Sequence, residues 1–240
     1  MPATSQTARA QLRTPRERAR AQTIADIVEL GRKHLAEHGA AALSLRAVAR
    51  DLGVVSSAVY RYVGSRDELL TLLLVDAYND LGDALDAAVG TVPEEDSEGR
   101  FAALARAVRA WALAEPARYG LLFGSPVPGY RAPAERTTAP GTRVVNGLVQ
   151  ILDGAHRAGR LAARGTVAVP PGLAADLEAI RRELNAAVPD VLLARGALVW
   201  TSLFGAVSFE VFGQYGAGTF SAPDELFEHH IAALADLAGL

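Results

Sequence analysis

The 240-residue chain contains no cysteine, which excludes disulfides, thiolate nucleophiles and cysteine-ligated metal sites. It also lacks a long hydrophobic run. The longest uncharged apolar stretch, 196–209, lies between Arg195 and Glu210 and falls short of the ~20 residues needed to span a bilayer. The first twenty residues carry arginine but no apolar core, so no signal peptide is read there; a cytoplasmic protein with no membrane partner is expected. Alternating Val and Ile between turn residues are scarce, whereas alanine is abundant and 50% of residues are hydrophobic, so the expected fold is all-α. No serine elbow flanked by glycines and no paired-carboxylate motif stands out. His34 and His38 are four apart around Glu37, but without the His-Glu-x-x-His order or a third ligand they read as surface histidines near a helix end. His229 and His230 are adjacent and cannot share a helix face. GQYGAG at 213–218 follows a helix rather than a strand, which suits a phosphate loop poorly. No metal, cofactor or enzymatic activity is expected.

Charge, by contrast, is present and unevenly placed. The net charge is −3, yet residues 1–66 hold a balance of +6 and the remainder −9. A basic head on an acidic body fits one part near phosphates and another part elsewhere.

Residues 1–13 are polar, small and dotted with arginine, and read as disordered; Arg9 and Arg13 there are either a solvated tail or an arm able to reach a minor groove. Thr14-Pro15-Arg16-Glu17 combines a capping box with Pro at the first helical position. The helix that follows carries Ile24, Ile27, Val28, Gly31 and Leu35 on one stripe and stops at Gly39. A head over 14–66 and a second domain over 67–240 are expected. The second domain opens with a connector helix from Ser65 to about Val89 and continues with helices near 97–114, up to Phe123, 142–158, 172–186, 190–213 and 222–238. The Gly/Pro-rich stretch 124–141 reads as a long loop.

Residues 43–74, LSLRAVARDLGVVSSAVYRYVGSRDELLTLLL, carry the most information. Ser44 can cap a short helix whose Leu45, Val48, Ala49 and Leu52 share a face, and Gly53 accepts the left-handed conformation that ends it. A second helix is expected from Val55 or Ser56 to about Val63, with Val59 and Val63 inward and Ser56, Ser57, Tyr60, Arg61 and Tyr62 outward. Ser65-Arg66-Asp67-Glu68 forms a capping box for the next helix. Two short helices around a glycine turn make a helix-turn-helix, whose second helix can enter a DNA groove. Hydroxyls there can bond phosphate oxygens, and arginine can bridge guanine O6 and N7.

With these residues in view, the head resembles the tetracycline-repressor (TetR) family of bacterial transcription regulators. The matching pattern is Leu35-Ala36-Glu37-His38-Gly39, Leu43-Ser44-Leu45-Arg46 with Val48-Ala49, Gly53-Val54, Tyr60, Ser65-Arg66 and Leu69. It departs from the family at Val55, where Ser usually caps the second helix, at Val63, where an aromatic is common, and at Arg66, usually Lys. Trp200, three residues on to Phe204-Gly205, is similar to the Trp-x-x-x-His-Gly signature of one subgroup, with Phe in place of His; LFGSPVPGY, ending at Tyr130, resembles a segment of the same regulators.

The resemblance implies a homodimer with a variable C-terminal domain for a small molecule, hence a ligand-responsive regulator, most simply a repressor, on double-stranded DNA. Carried over residue by residue, it puts Ser44 and Arg46 near phosphate, Ser56, Ser57, Ala58 and Arg61 at the major groove, Tyr60 and Arg66 on the backbone, and Tyr62 in either role. Arg61 is the residue expected to read a base. Trp200, Phe204, Val207, Val211, Phe227, Ile231 and Leu234, on the two last helices, are implied at the dimer interface, and two-fold symmetry implies a palindromic operator. Tyr78, Trp111, Tyr119, Phe123, Tyr130 and His156 are candidate walls for a small hydrophobic effector. The competing reading is a helical small-molecule-binding or enzymatic protein without sequence-specific DNA binding.

Overall fold

Thr14 fixes the start of the first helix twice over. Its hydroxyl accepts the Glu17 amide at 3.2 Å, and its own amide donates to the Glu17 carboxylate at 2.7 Å, with Pro15 supplying a helical φ at no hydrogen-bond cost. The computed structural model describes residues 14–161 and 167–240, so the expected arm and its Arg9 and Arg13 lie outside the described residues. Eleven α-helices and no strand occur among the described residues: α1 Pro15–His38, α2 Leu45–Asp51, α3 Ser56–Tyr60, α4 Arg66–Val89, α5 Ser97–Ala114, α6 Pro116–Phe123, α7 Ala134–Gly141, α8 Arg143–Arg157, α9 Pro171–Leu184, α10 Asp190–Val211 and α11 Pro223–Ala238. The fold is all-α, as composition required.

Two compact units divide the chain. One comprises the chain through Ala77 together with Ala117–Thr137; the other comprises Tyr78–Pro116 and Thr138–Leu240. The segment 117–137, expected with the second domain, therefore packs with the head. In the first unit Ile27, Leu45, Val48, Val59, Val63, Leu69, Leu70 and Leu73 form a core to which Leu121, Val127 and Tyr130 add their partly buried sides. Gly31 brings α1 close to α4: a Cβ there would lie 3.3 Å from Leu69 and Leu73. Arg32 and Arg118 both converge on Asp76.

In the second unit α5, α8, α10 and α11 pack around Phe101, Leu104, Val108, Leu148, Leu152, Leu203 and Val207. The Arg109 guanidinium lies 5.0 Å over the Phe227 ring and forks onto Glu210 at 2.7 and 2.6 Å; Glu210 first, and then Asp224, favour its ionised form against burial. Asp153 ties the approach to α10. Burial opposes its ionisation, but Arg157 and the amides of Ala187 and Val188 together hold its carboxyl below the usual range. Helix α10 is long and apolar enough to cross a bilayer by length and composition. Seven of its residues, Leu192, Leu193, Gly196, Val199, Leu203, Phe204 and Val207, are instead buried within this unit.

The stretch 124–141 is not all loop. Helix α7 occupies Ala134–Gly141 with Pro140 inside it. Pro140 deprives only the carbonyl four residues back of a partner, a tolerable loss near the end of a two-turn helix. Its start is fixed by the Pro133 carbonyl, which accepts from the amides of Arg136 and Thr137.

Candidate nucleic-acid interface

The turn between α2 and α3 is tight because glycine permits it. Gly53 sits at φ +72, its amide bonds the Arg50 carbonyl at 3.0 Å, and the Val54 amide reaches back to Ala49 at 3.0 Å. Ser44 occupies the N-cap of α2 in extended conformation, as expected, but its hydroxyl makes no capping bond. Val55 stands at the N-cap of α3 and offers none either, so α3 starts at Ser56 and ends at Tyr60, shorter than the periodicity suggested. The Val63 amide still bonds the Val59 carbonyl at 3.0 Å, and both valines are buried.

Those two anchors decide what α3 presents. Ser57, Tyr60 and Arg61 are exposed, and Ser56, Ala58 and Tyr62 are half-buried. On α2, Arg46 and Arg50 are exposed beside half-buried Ser44. Arg66, expected on the DNA backbone, is half-buried in the head. Its guanidinium donates to the carbonyls of Ala40 and Ala41 at 2.9 and 3.1 Å, which ties the 3-10 turn Ala40–Ala42 to the start of α4. Beside it Ser65 accepts the Glu68 amide at 3.1 Å, while the Glu68 carboxylate turns to Arg136. Sequence reasoning passed over Arg16 and Arg20 of α1, which share a concavity with Arg61 and Tyr62. Their four-residue spacing behind a strong helix start was the available signal.

His34 is buried at 7% exposure rather than on the surface, and its Nε2 meets Asp51. Among the described residues no group of three His, Cys, Asp or Glu could hold a metal.

The six aromatic and histidine side chains proposed for a ligand cavity are engaged in packing. In the first unit Tyr119 is fully buried, with its ring centroid 5.1 Å from that of Phe123, and the Tyr130 hydroxyl shares a 3.0 Å hydrogen bond with Thr71. In the second, Trp111 donates to Asp80 at 3.0 Å, Tyr78 rests against Gly141, and His156 is half-buried near the end of α8. Other residues line two cavities of that unit: Phe209, Tyr215, Phe220 and Phe227 line one of about 410 Å³, and Val169, Leu173, Leu198 and Leu237 another of about 480 Å³. Of the residues expected between two copies, Val207, Phe204, Phe227, Ile231 and Leu234 are buried within the chain, and Trp200 and Val211 are half-buried. The same helices instead expose Leu198, Phe209 and Leu237, with Phe212 just beyond α10.

A short helix set out by a glycine turn, anchored by two buried valines and flanked by exposed arginines, defines a helix-turn-helix DNA-binding regulator. Residues 27–73 match the model for bacterial regulatory proteins of the tetR family, and residues 101–234 the tetracyclin repressor-like C-terminal domain. An HTH-type transcriptional regulator of Mycobacterium tuberculosis is 50% identical over 213 residues, covering 89% of this chain and 91% of the relative. The crystal structure of the regulatory protein SCO4313 is similar at a TM-score of 0.74 and 36% identity, covering 93% of this chain and 100% of that one. RolR, crystallised in complex with resorcinol, shares the fold at a TM-score of 0.52 and 16% identity, covering 92% of this chain and 95% of RolR. The chain belongs to the TetR family of transcriptional regulators.

Proposed function

We propose that the protein is a homodimeric repressor that acts in the cytoplasm, binds a palindromic operator and is released by a small hydrophobic molecule, with no catalytic role. The observation that carries this reading is the exposed face of α3, Ser57 and Tyr60 with half-buried Ser56 and Ala58, beside Ser44 and Arg46 of α2. A helix of five residues with small side chains at its start can approach base edges closely, while the hydroxyls and arginines around it bond phosphates.

Family membership supports a second copy, and the exposed apolar side chains Leu198, Phe209, Phe212 and Leu237 are the surface we assign to it. Two heads related by a two-fold axis would read half-sites about one helical turn apart. Support for an effector is more general. RolR was crystallised with resorcinol, and the second unit holds cavities within the size range of small-molecule sites. Release requires that the effector bind more tightly to the state that holds DNA poorly. Selection of bound duplexes from a random pool tests the reading: an enriched sequence with inverted symmetry is expected, lost when a matching effector from a metabolite and antibiotic panel is added. Recovery of unenriched DNA would remove the regulatory reading, and enrichment insensitive to the whole panel would remove the effector.

A further inference from the structure

We propose that Arg16, Arg20 and Arg61 form one seat for a single phosphate of the DNA backbone, so that Arg61 grips the backbone rather than reading a base edge; this rests on the DNA-binding reading above. Arg61 lies one residue past the end of α3, at its C-cap, with helical backbone angles (φ −73, ψ −20). It lines a concavity of about 340 Å³ together with Arg16, Ala19, Arg20 and Tyr62. Arg16 and Arg20 are four residues apart on α1, hence on one face of a helix whose start is fixed by the Thr14–Glu17 box. The half-buried Tyr62 packs on the head core, and the Arg20 guanidinium lies 5.3 Å over its ring, which holds that cation at the rim.

All three arginines are exposed, and among the described residues none of them has a carboxylate partner. Arg32, Arg50 and Arg66 of the same unit each have one. Three like charges around one hollow repel each other until an anion enters. A phosphodiester fits, because guanidinium forks bind phosphate oxygens in two-point fashion and the seat adjoins the helix that approaches the duplex. The same contact would fix how far α3 slides along the groove, since phosphate contacts set register.

The test uses the full-length protein and the selected duplex, with a scrambled duplex as reference. Affinities are measured between 50 and 200 mM KCl for wild type, Arg16→Ala, Arg20→Ala, Arg61→Ala and Arg61→Lys, with helicity checked for each. The alanine variants are expected to weaken both duplexes by the same factor. The selected-to-scrambled ratio should stay within about twofold of wild type, and the triple alanine variant should make the log–log salt slope shallower by about one per head. Arg61→Lys should keep most of the slope. Replacing one phosphate at a time by methylphosphonate should find a single linkage at which all three alanine penalties vanish. A tenfold or larger loss of the ratio in Arg61→Ala overturns the seat and makes Arg61 a base reader. Penalties that vanish at different linkages, or an unchanged slope in the triple variant, also overturn it. A wild-type protein with no preference for the selected duplex overturns the DNA-binding reading itself, and the seat falls with it.

Discussion

The imidazole of His34, on α1, meets the carboxylate of Asp51, the last residue of α2, at 2.6 Å. This contact fastens the first helix of the helix-turn-helix to the helix behind it. The hydrogen bond from His34 holds the Asp51 carboxyl below its ordinary value, against partial burial and with help from Arg50. A carboxyl lowered in the folded state contributes its full stability above its unfolded value, near 3.9, and loses it as pH falls through the folded value. Asp51→Asn should therefore lower the urea midpoint at pH 7, and the gap from wild type should close as pH drops from about 5 towards 3. Equal midpoints at pH 7 would show that the contact contributes nothing.

Asp76 is shared. Arg32 approaches it with Nε at 2.8 Å and Nη2 at 2.5 Å, and Arg118, only 4% exposed, donates at 3.0 Å. Removing the carboxylate leaves Arg118 as a buried cation without this acceptor. Fully buried pairs broken in this way lose about 3–5 kcal/mol; because Asp76 and Arg32 are partly exposed, Asp76→Ala should cost about 2–4 kcal/mol, and Arg32→Ala less. Urea unfolding of both variants decides. A loss below about 0.5 kcal/mol for Asp76→Ala would mean that water replaces the carboxylate freely.

Gly196 marks the close approach of α10 to α8. A Cβ at that position would lie 2.7 Å from Leu152 Cδ1, and Leu152 is itself fully buried. Gly196→Ala should destabilise the protein by about 1–3 kcal/mol through overpacking. Truncating the neighbour should give room back, so Leu152→Ala should cost less in the Gly196→Ala background than in wild type. Strictly additive losses in the double-mutant cycle would contradict the contact.

Leu198, at 53% exposure, is the most exposed large apolar residue of α10. If a second copy covers this face, Leu198→Arg should halve the mass seen by light scattering at micromolar concentration and weaken operator binding by more than tenfold, with helicity unchanged. A wild-type mass of one chain, or a variant that stays dimeric, would contradict that assignment.

Much of this was written in the local sequence because caps are local. Thr14 with Glu17, Gly39, the Gly53 turn and Pro116, Pro171 and Pro223 lie at or beside helix ends, and the helix bounds follow them closely. Helix α7 was hidden because Pro140 and Gly141 read as breakers, although a helix that ends there hardly feels them. Which face of α10 turns inward was hidden, because a helix apolar nearly all round has no polar side to orient it. The roles of Arg66 and His34 depended on partners 25 or 26 and 17 residues away, beyond the reach of periodicity. The exposed face of α3 was legible because Val59 and Val63 fix it within a few residues; the arginines of α1 beside it were not, because only the fold brings them there.

Sequence-specific binding through α3 is decided by the ratio of affinities for the selected and scrambled duplexes at physiological salt. Wild type is compared with a variant carrying Ser56→Ala and Ser57→Ala at the start of α3. The wild-type ratio should be on the order of a thousand or more and should fall by at least tenfold in the variant while its helicity is retained. A wild-type ratio near one, or a ratio untouched by the double substitution, would contradict it.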